Sequence, residues 1–155
     1  MLKFIALGLL GALVIAVLVV RFAPADSQVW NEAFPPFRMT GDLTLPGGFV
    51  SQKDPDDFGG EAAILERLDQ IIRQTPRTKV FAGSLEAQTI TYVTRSRIFG
   101  FPDYTTVSIQ PVSPARMVIY ARLRFGKFDM GVNKARVQSW LAQLDDTVSE
   151  DTPTR

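Results

Sequence analysis

Apolar and polar residues alternate along this chain in three different rhythms. From Phe4 to Val20 no residue carries a charge, with Lys3 before the run and Arg21 after it. Because Lys3 can snorkel, the apolar stretch reaches about 20 residues, enough for one helix to cross a ~30 Å hydrocarbon core. A helical rhythm returns further on. Ile64, Leu68, Ile71 and Ile72 form one stripe, with Glu61 suited to the positive end of the helix and Pro76 as its stop. A second stripe of Val137, Trp140, Leu141 and Leu144 predicts a helix from about Asn133 to Leu144.

Between the two stripes the period falls to two. Thr78–Ala82 and Gln88–Arg97 read as strands, and in Tyr104–Val112 the residues Val107 and Ile109 alternate with Thr106, Ser108 and Gln110. In 116–125, Met117, Ile119, Ala121, Leu123 and Phe125 share one face, and Arg116, Tyr120, Arg122 and Arg124 the other. The pattern predicts an α+β fold: a mainly antiparallel sheet of about four strands with two flanking helices, preceded by a single N-terminal transmembrane helix. The expected divisions are an anchor over 1–22, a proline-rich tether over 23–58, the α+β domain over 59–145 and an acidic tail over 146–155. The tether carries Pro24, Pro35, Pro36, Pro46 and Pro55 and is expected to lack regular structure. Trp30, Phe34 and Phe37 interrupt it, either at headgroup level or docked on the domain.

The apolar run has a second reading, a signal peptide cut at Ala23-Pro24-Ala25, although signal cores usually run only about 7–15 residues. The short leading tail favours an inner-membrane, single-pass chain with its domain facing the periplasm.

Composition then removes whole classes of chemistry. There is no histidine and no cysteine. That excludes imidazole bases, thiolate nucleophiles, disulfides and the zinc, haem and iron–sulfur sites built on them. No cofactor is expected. Asp54, Asp56 and Asp57 lack the loop glycine and terminal glutamate of a calcium hand. There is no G-x-S-x-G, no P-loop and no dinucleotide fingerprint.

Charge is segregated under a net value of +1. Between Arg77 and Arg136 ten basic residues stand against three acidic ones, Glu86, Asp103 and Asp129. This basic middle either meets an anionic partner or is neutralised by the acidic first helix. If the sheet has an open face, Arg116, Tyr120, Arg122 and Arg124 form an array on it for membrane lipid or an inner-membrane or envelope protein. Nucleic acid is not expected beside an anchor.

After the last strand, Gly126 and Gly131 permit positive φ, Asn133 suits an N-cap and Asp129 braces the turn or pairs with an arginine. The same corner reads alternatively as an anion pocket made of first-turn amides, Arg124, Lys127 and Arg136. The function expected is therefore a membrane-anchored binding or assembly module for an envelope protein or anionic lipid. Its alternative is a small hydrolase or lyase using Asp103 or Asp129.

Two blocks resemble a known family. The run Arg95–Tyr104 (RSRIFGFPDY) and the run Arg122–Val137 (RLRFGKFDMGVNKARV) are similar to domain-of-unknown-function family 1499. The second matches its pattern S-R-x-G-x-x-D-x-G-x-N-x-x-R, with Leu123 where many relatives have serine. The resemblance spans about 58–145. The cysteine-containing segment that many members carry near Val50-Ser51 has no counterpart here, so a function resting on paired cysteines does not apply. The resemblance implies a domain type and no mechanism.

Overall fold

The computed structural model describes residues 1–37 and 40–151; the last four residues of the acidic tail lie outside them. The chain begins with α1 (Leu2–Phe22) and a single turn, α2 (Ser27–Trp30), whose N-cap Asp26 accepts a bond from the amide of Gln28. Strands β1 (Gly41–Leu45) and β2 (Gly48–Lys53) follow, then a 3-10 turn over Pro55–Phe58 and helix α3 (Glu61–Gln74). Next come β3 (Thr78–Ser84), β4 (Thr89–Arg95), β5 (Pro102–Gln110) and β6 (Arg116–Leu123), and the chain closes with α4 (Val132–Asp151). The six strands form one sheet in the order β1-β2-β6-β5-β4-β3, antiparallel throughout.

Six strands replace the four expected, and the two extra ones fall inside the segment read as tether. β2 lies between β1 and β6, so Phe49, Val50, Ser51 and Gln52 are all buried and show no alternation to read. Its turn needs Gly47, with φ +65°, whose carbonyl accepts the amide of Leu123 at 2.8 Å. Strand β6 ends at Leu123, so Phe125 stands in the turn and is exposed instead of lying on the core face.

Helices α3 and α4 cover one face of the sheet. Ile64, Leu68 and Ile72 meet Ile90, Val107, Ile109, Met117 and Ile119, with Val137, Trp140 and Leu144 from α4. Each such burial contributes about 1.5–3 kcal/mol before the entropy of ordering the chain is set against it. Polar groups in this layer are tied off. The Trp140 indole donates to Thr75 Oγ1 at 2.7 Å, and the Tyr92 hydroxyl donates to Asp69 at 2.7 Å. Burial, then the bond to Asp69, pushes the Tyr92 phenol far above its usual range. Helix α4 runs past Leu144 through most of the acidic tail because Val148 extends its stripe onto the core.

Helix α1 is uncovered by the rest of the chain. Lys3–Phe22 has a mean hydropathy of 2.7 and is long and apolar enough to span a membrane or to be a signal sequence.

Candidate functional site

The second face of the sheet is not open. Residues 23–37 cross it as a strap. The Trp30 ring stacks on Tyr104 with centroids 4.3 Å apart, and Phe34 meets Tyr120 edge-on at 5.0 Å. Thr91 Oγ1 donates to Asn31 Oδ1 at 2.8 Å. At the far end Gln52 imitates a strand neighbour: its amide nitrogen donates to the Phe37 carbonyl at 2.6 Å, and its oxygen accepts the Phe37 amide at 2.9 Å. The strap explains why Gln52, Thr91, Thr106 and Ser108 are buried although the helices lie on the opposite side.

The arginines expected to form an exposed array hold this strap and its surroundings. Arg116 pairs with Asp54 at 3.0 Å and is 13% exposed. Arg122 donates to the Trp30 carbonyl at 2.6 Å and to Thr106 Oγ1 at 3.1 Å. Its guanidinium also sits 4.4 Å from the centroid of the Tyr120 ring. Burial lowers the Arg122 pKa, opposed by Tyr120 and by Glu32 on the strap, and a guanidinium stays charged regardless. Arg124 donates to the Ala23 carbonyl at 2.8 Å and to that of Pro24. The open cation array is therefore corrected to a set of ties. Strands turn these side chains to the strap face, where backbone carbonyls without strand partners need donors.

The corner between β6 and α4 is built on Gly126 (φ +101°) and Gly131 (φ +79°). Asp129, not Asn133, caps the helix. Its carboxylate accepts the amides of Asn133 at 2.9 Å and Gly131 at 3.1 Å. Burial works to raise the Asp129 pKa, but these amides outweigh it and hold the carboxyl below its usual range. The amides of Gly131, Val132 and Asn133, which an anion pocket would use, are thus already engaged. Asn133 turns inward, fully buried, and accepts from Arg136 at 2.9 Å, while its own NH₂ group has no partner among the described residues. Arg136 also pairs with Asp103 at 3.2 Å, each 14% exposed. Burial raises the Asp103 pKa, Arg136 opposes the rise and Asp129 adds to it. Arg136 thereby belongs to a structural network, whereas Lys127 stands exposed in the turn.

A different set of cations is brought together at the β3–β4 edge. A cleft of about 570 Å³ is walled by Arg21, Arg77, Lys79, Arg95 and Arg97, with Ser96 and Gly100 beside them and no acidic residue in the lining. The register places Thr78 opposite Thr94 and Lys79 opposite Val93, so Arg77 comes beside Arg95, with Lys79 and Arg97 each two residues further along the chain. Arg95 donates to the carbonyls of Arg21 at 2.9 Å and Gly100 at 3.0 Å, fixing the end of α1 to the β4–β5 loop. Arg77, with φ +62°, donates to the Arg95 carbonyl at 3.2 Å. Lys79 and Arg97 are exposed. Among the described residues none of the five makes an ion pair. Such an arrangement suits a phosphate or carboxylate: like charges lie close together in the absence of counter-charge. The two-residue spacings were visible in the sequence, but the third contributor, Arg21, comes from a segment read only for its hydropathy.

Among the described residues no group of His, Cys, Asp or Glu could hold a metal ion. Asp54 is engaged in capping the 3-10 turn, accepting the amide of Asp56 at 3.1 Å, as well as in its pair with Arg116.

No curated protein matches this sequence. A family model does, over residues 38–144, under the description "Protein of unknown function (DUF1499)". The match starts ahead of β1 and so takes in the hairpin that the sequence blocks alone left out. With all six strands, α3 and most of α4 inside the matched range, the chain belongs to the DUF1499 family.

Proposed function

We propose that this protein is a membrane-anchored, non-catalytic module that binds anionic phospholipid headgroups at the surface of its own bilayer, on the periplasmic side of an inner membrane. One observation carries the reading. Five cations without a carboxylate partner among the described residues line a cleft whose wall includes Arg21, at the end of the apolar helix. A cation at an anionic surface contributes about 1 kcal/mol, and the sum weakens as salt shortens the screening length. Asp103 and Asp129, the carboxylates of the hydrolytic alternative, are occupied in an ion pair and a helix cap.

The full chain in a neutral detergent tests this. Native mass spectrometry with added short-chain phosphatidylglycerol should show more bound lipid than with phosphatidylcholine, and the preference should fall at high salt. The double change Lys79→Gln and Arg97→Gln should remove most of the preference, because both side chains are exposed and neither makes an ion pair among the described residues. Equal binding of the two lipids by the parent chain would reject the headgroup site. Inorganic phosphate competing as well as the lipid would indicate a site for the free ion.

A further inference from the structure

The sheet has one end crowded with loops and anchor. Strand pairing puts the β1–β2 turn, the β4–β5 loop, the β6–α4 turn and Arg77 at the same end, since Arg95 faces Pro102, Asp103 faces Leu123 and Arg122 faces Gly48. The end of α1 is tied here by Arg95, which donates to the Arg21 carbonyl, and the residue just after it by Arg124, which donates to the Ala23 carbonyl. The chain leaves the apolar helix directly onto the sheet, with no slack to hold the domain away from a membrane.

That end is also where the domain exposes its large apolar side chains. Ile98 is 80% exposed, Phe128 78% and Met130 97%, with Phe99 beside them at 46%. At the opposite end, the most exposed large apolar residue is Val112, at 43%. Exposed apolar tips flanked by Arg97 and Lys127 have the composition of a surface that enters the interfacial zone of a bilayer, cations at the headgroups and rings below them.

We infer that the domain rests on the membrane, with the tips of the β4–β5 loop (Ile98, Phe99) and the β6–α4 turn (Phe128, Met130) inserted into the leaflet from which α1 emerges. This rests on α1 being a retained span. It does not require the headgroup site. The domain is thereby held in one posture on the bilayer by three points: the anchor and two apolar loops.

The absence of cysteine makes the test direct, because each introduced thiol is the only one. In the full chain, Ile98→Cys, Phe128→Cys, Glu86→Cys in the distal β3–β4 turn and Ile15→Cys within α1 are each spin-labelled in phosphatidylcholine nanodiscs. Accessibility to oxygen and to a water-soluble nickel chelate is then compared. The labels at 98 and 128 should share the oxygen-rich, nickel-poor profile of position 15, while position 86 reads as aqueous. Labels at 98 and 128 that match position 86, with 15 still in lipid, overturn the docked posture and leave the anchor intact. An aqueous reading at 15 overturns both. Spin–spin broadening between copies at 98 or 128 would put a second chain on the patch and likewise overturn the lipid assignment. Insertion that persists in phosphatidylcholine while the headgroup titration fails would retire the lipid-binding cleft alone. Phe128→Asp supplies a second measurement: this exposed change should leave the melting temperature unchanged and raise nickel access at position 98.

Discussion

Arg122 on β6 and Arg97 after β4 look alike in the sequence, both in R-x-R pairs followed by an apolar residue. Their surroundings are opposite. Arg122 lies under the strap, stacked on Tyr120 and bonded to the Trp30 carbonyl, whereas Arg97 stands exposed in the wall of a cleft that contains no acid. The first cation spends its donors on the protein's own backbone. The second has no bonding partner among the described residues. A surplus of basic residues is therefore a poor guide to a binding site until each guanidinium has been followed to its partner, because a covered sheet face consumes cations as readily as an open one displays them.

The contrast can be broken from the buried side. Arg122→Ala should lower stability by about 2–4 kcal/mol, since it strips a charge-assisted bond from a strap carbonyl and empties the space beside Tyr120. Chemical denaturation measures this, and a loss below about 0.5 kcal/mol would mean that the strap does not depend on it.

A smaller effect is expected at the helix cap. Asp129→Asn should cost about 1 kcal/mol near neutral pH. The carboxyl is held below its usual range in the fold, so its contribution is complete above about pH 4 and disappears as pH falls through the folded value. The substituted chain should therefore show a shallower acid limb in a series of melts. Asp103 works with the opposite sign. Its pKa is raised, so what it contributes is present at low pH and is lost as pH rises through its folded value. An unchanged acid limb in the Asp129 variant would assign the cap to other groups.

The smallest stability effect belongs to the exposed side of the comparison. Lys79→Gln with Arg97→Gln should shift stability by no more than about 0.5 kcal/mol, while altering lipid preference more than any change on β6. A large fall in melting temperature would show that these cations, too, are structural.

How much of this was legible varies by element in a physical way. Helix α3 announces itself by one buried stripe, and strands β4, β5 and β6 because apolar residues take the helix face and mostly polar or charged ones the strap face, a period that stays readable even where β5 is buried on both. β2 does not, for it is buried on both faces and its neighbours Pro46 and Gly47 read as loop punctuation. The strap was invisible for a related reason: prolines and a four-residue helix give it no period, and Trp30 and Phe34 alone did not say which surface they sought. At the β6–α4 corner the glycines and the acidic residue were legible as a turn, but the cap is Asp129, which accepts the amides of Gly131 and Asn133, while the Asn133 side chain expected to cap is buried instead. The basic cleft draws on α1 as well as two strands and their loop, so no single window of sequence contains it.

The bond from Arg122 to the Trp30 carbonyl joins residues 92 positions apart. Trp30 emerges from the ribosome early, directly behind the apolar helix, while the strands it must lie across are completed only when β6 is made. Closing so long a loop is slow compared with forming the local hairpins β3–β4 and β4–β5. The strap therefore cannot close until β6 has been made, whereas the β3–β4 and β4–β5 hairpins need only neighbouring segments. A chain whose strap has not closed presents an uncovered sheet face on which Thr91, Thr106 and Ser108 meet solvent, the kind of surface that favours association between partly folded copies.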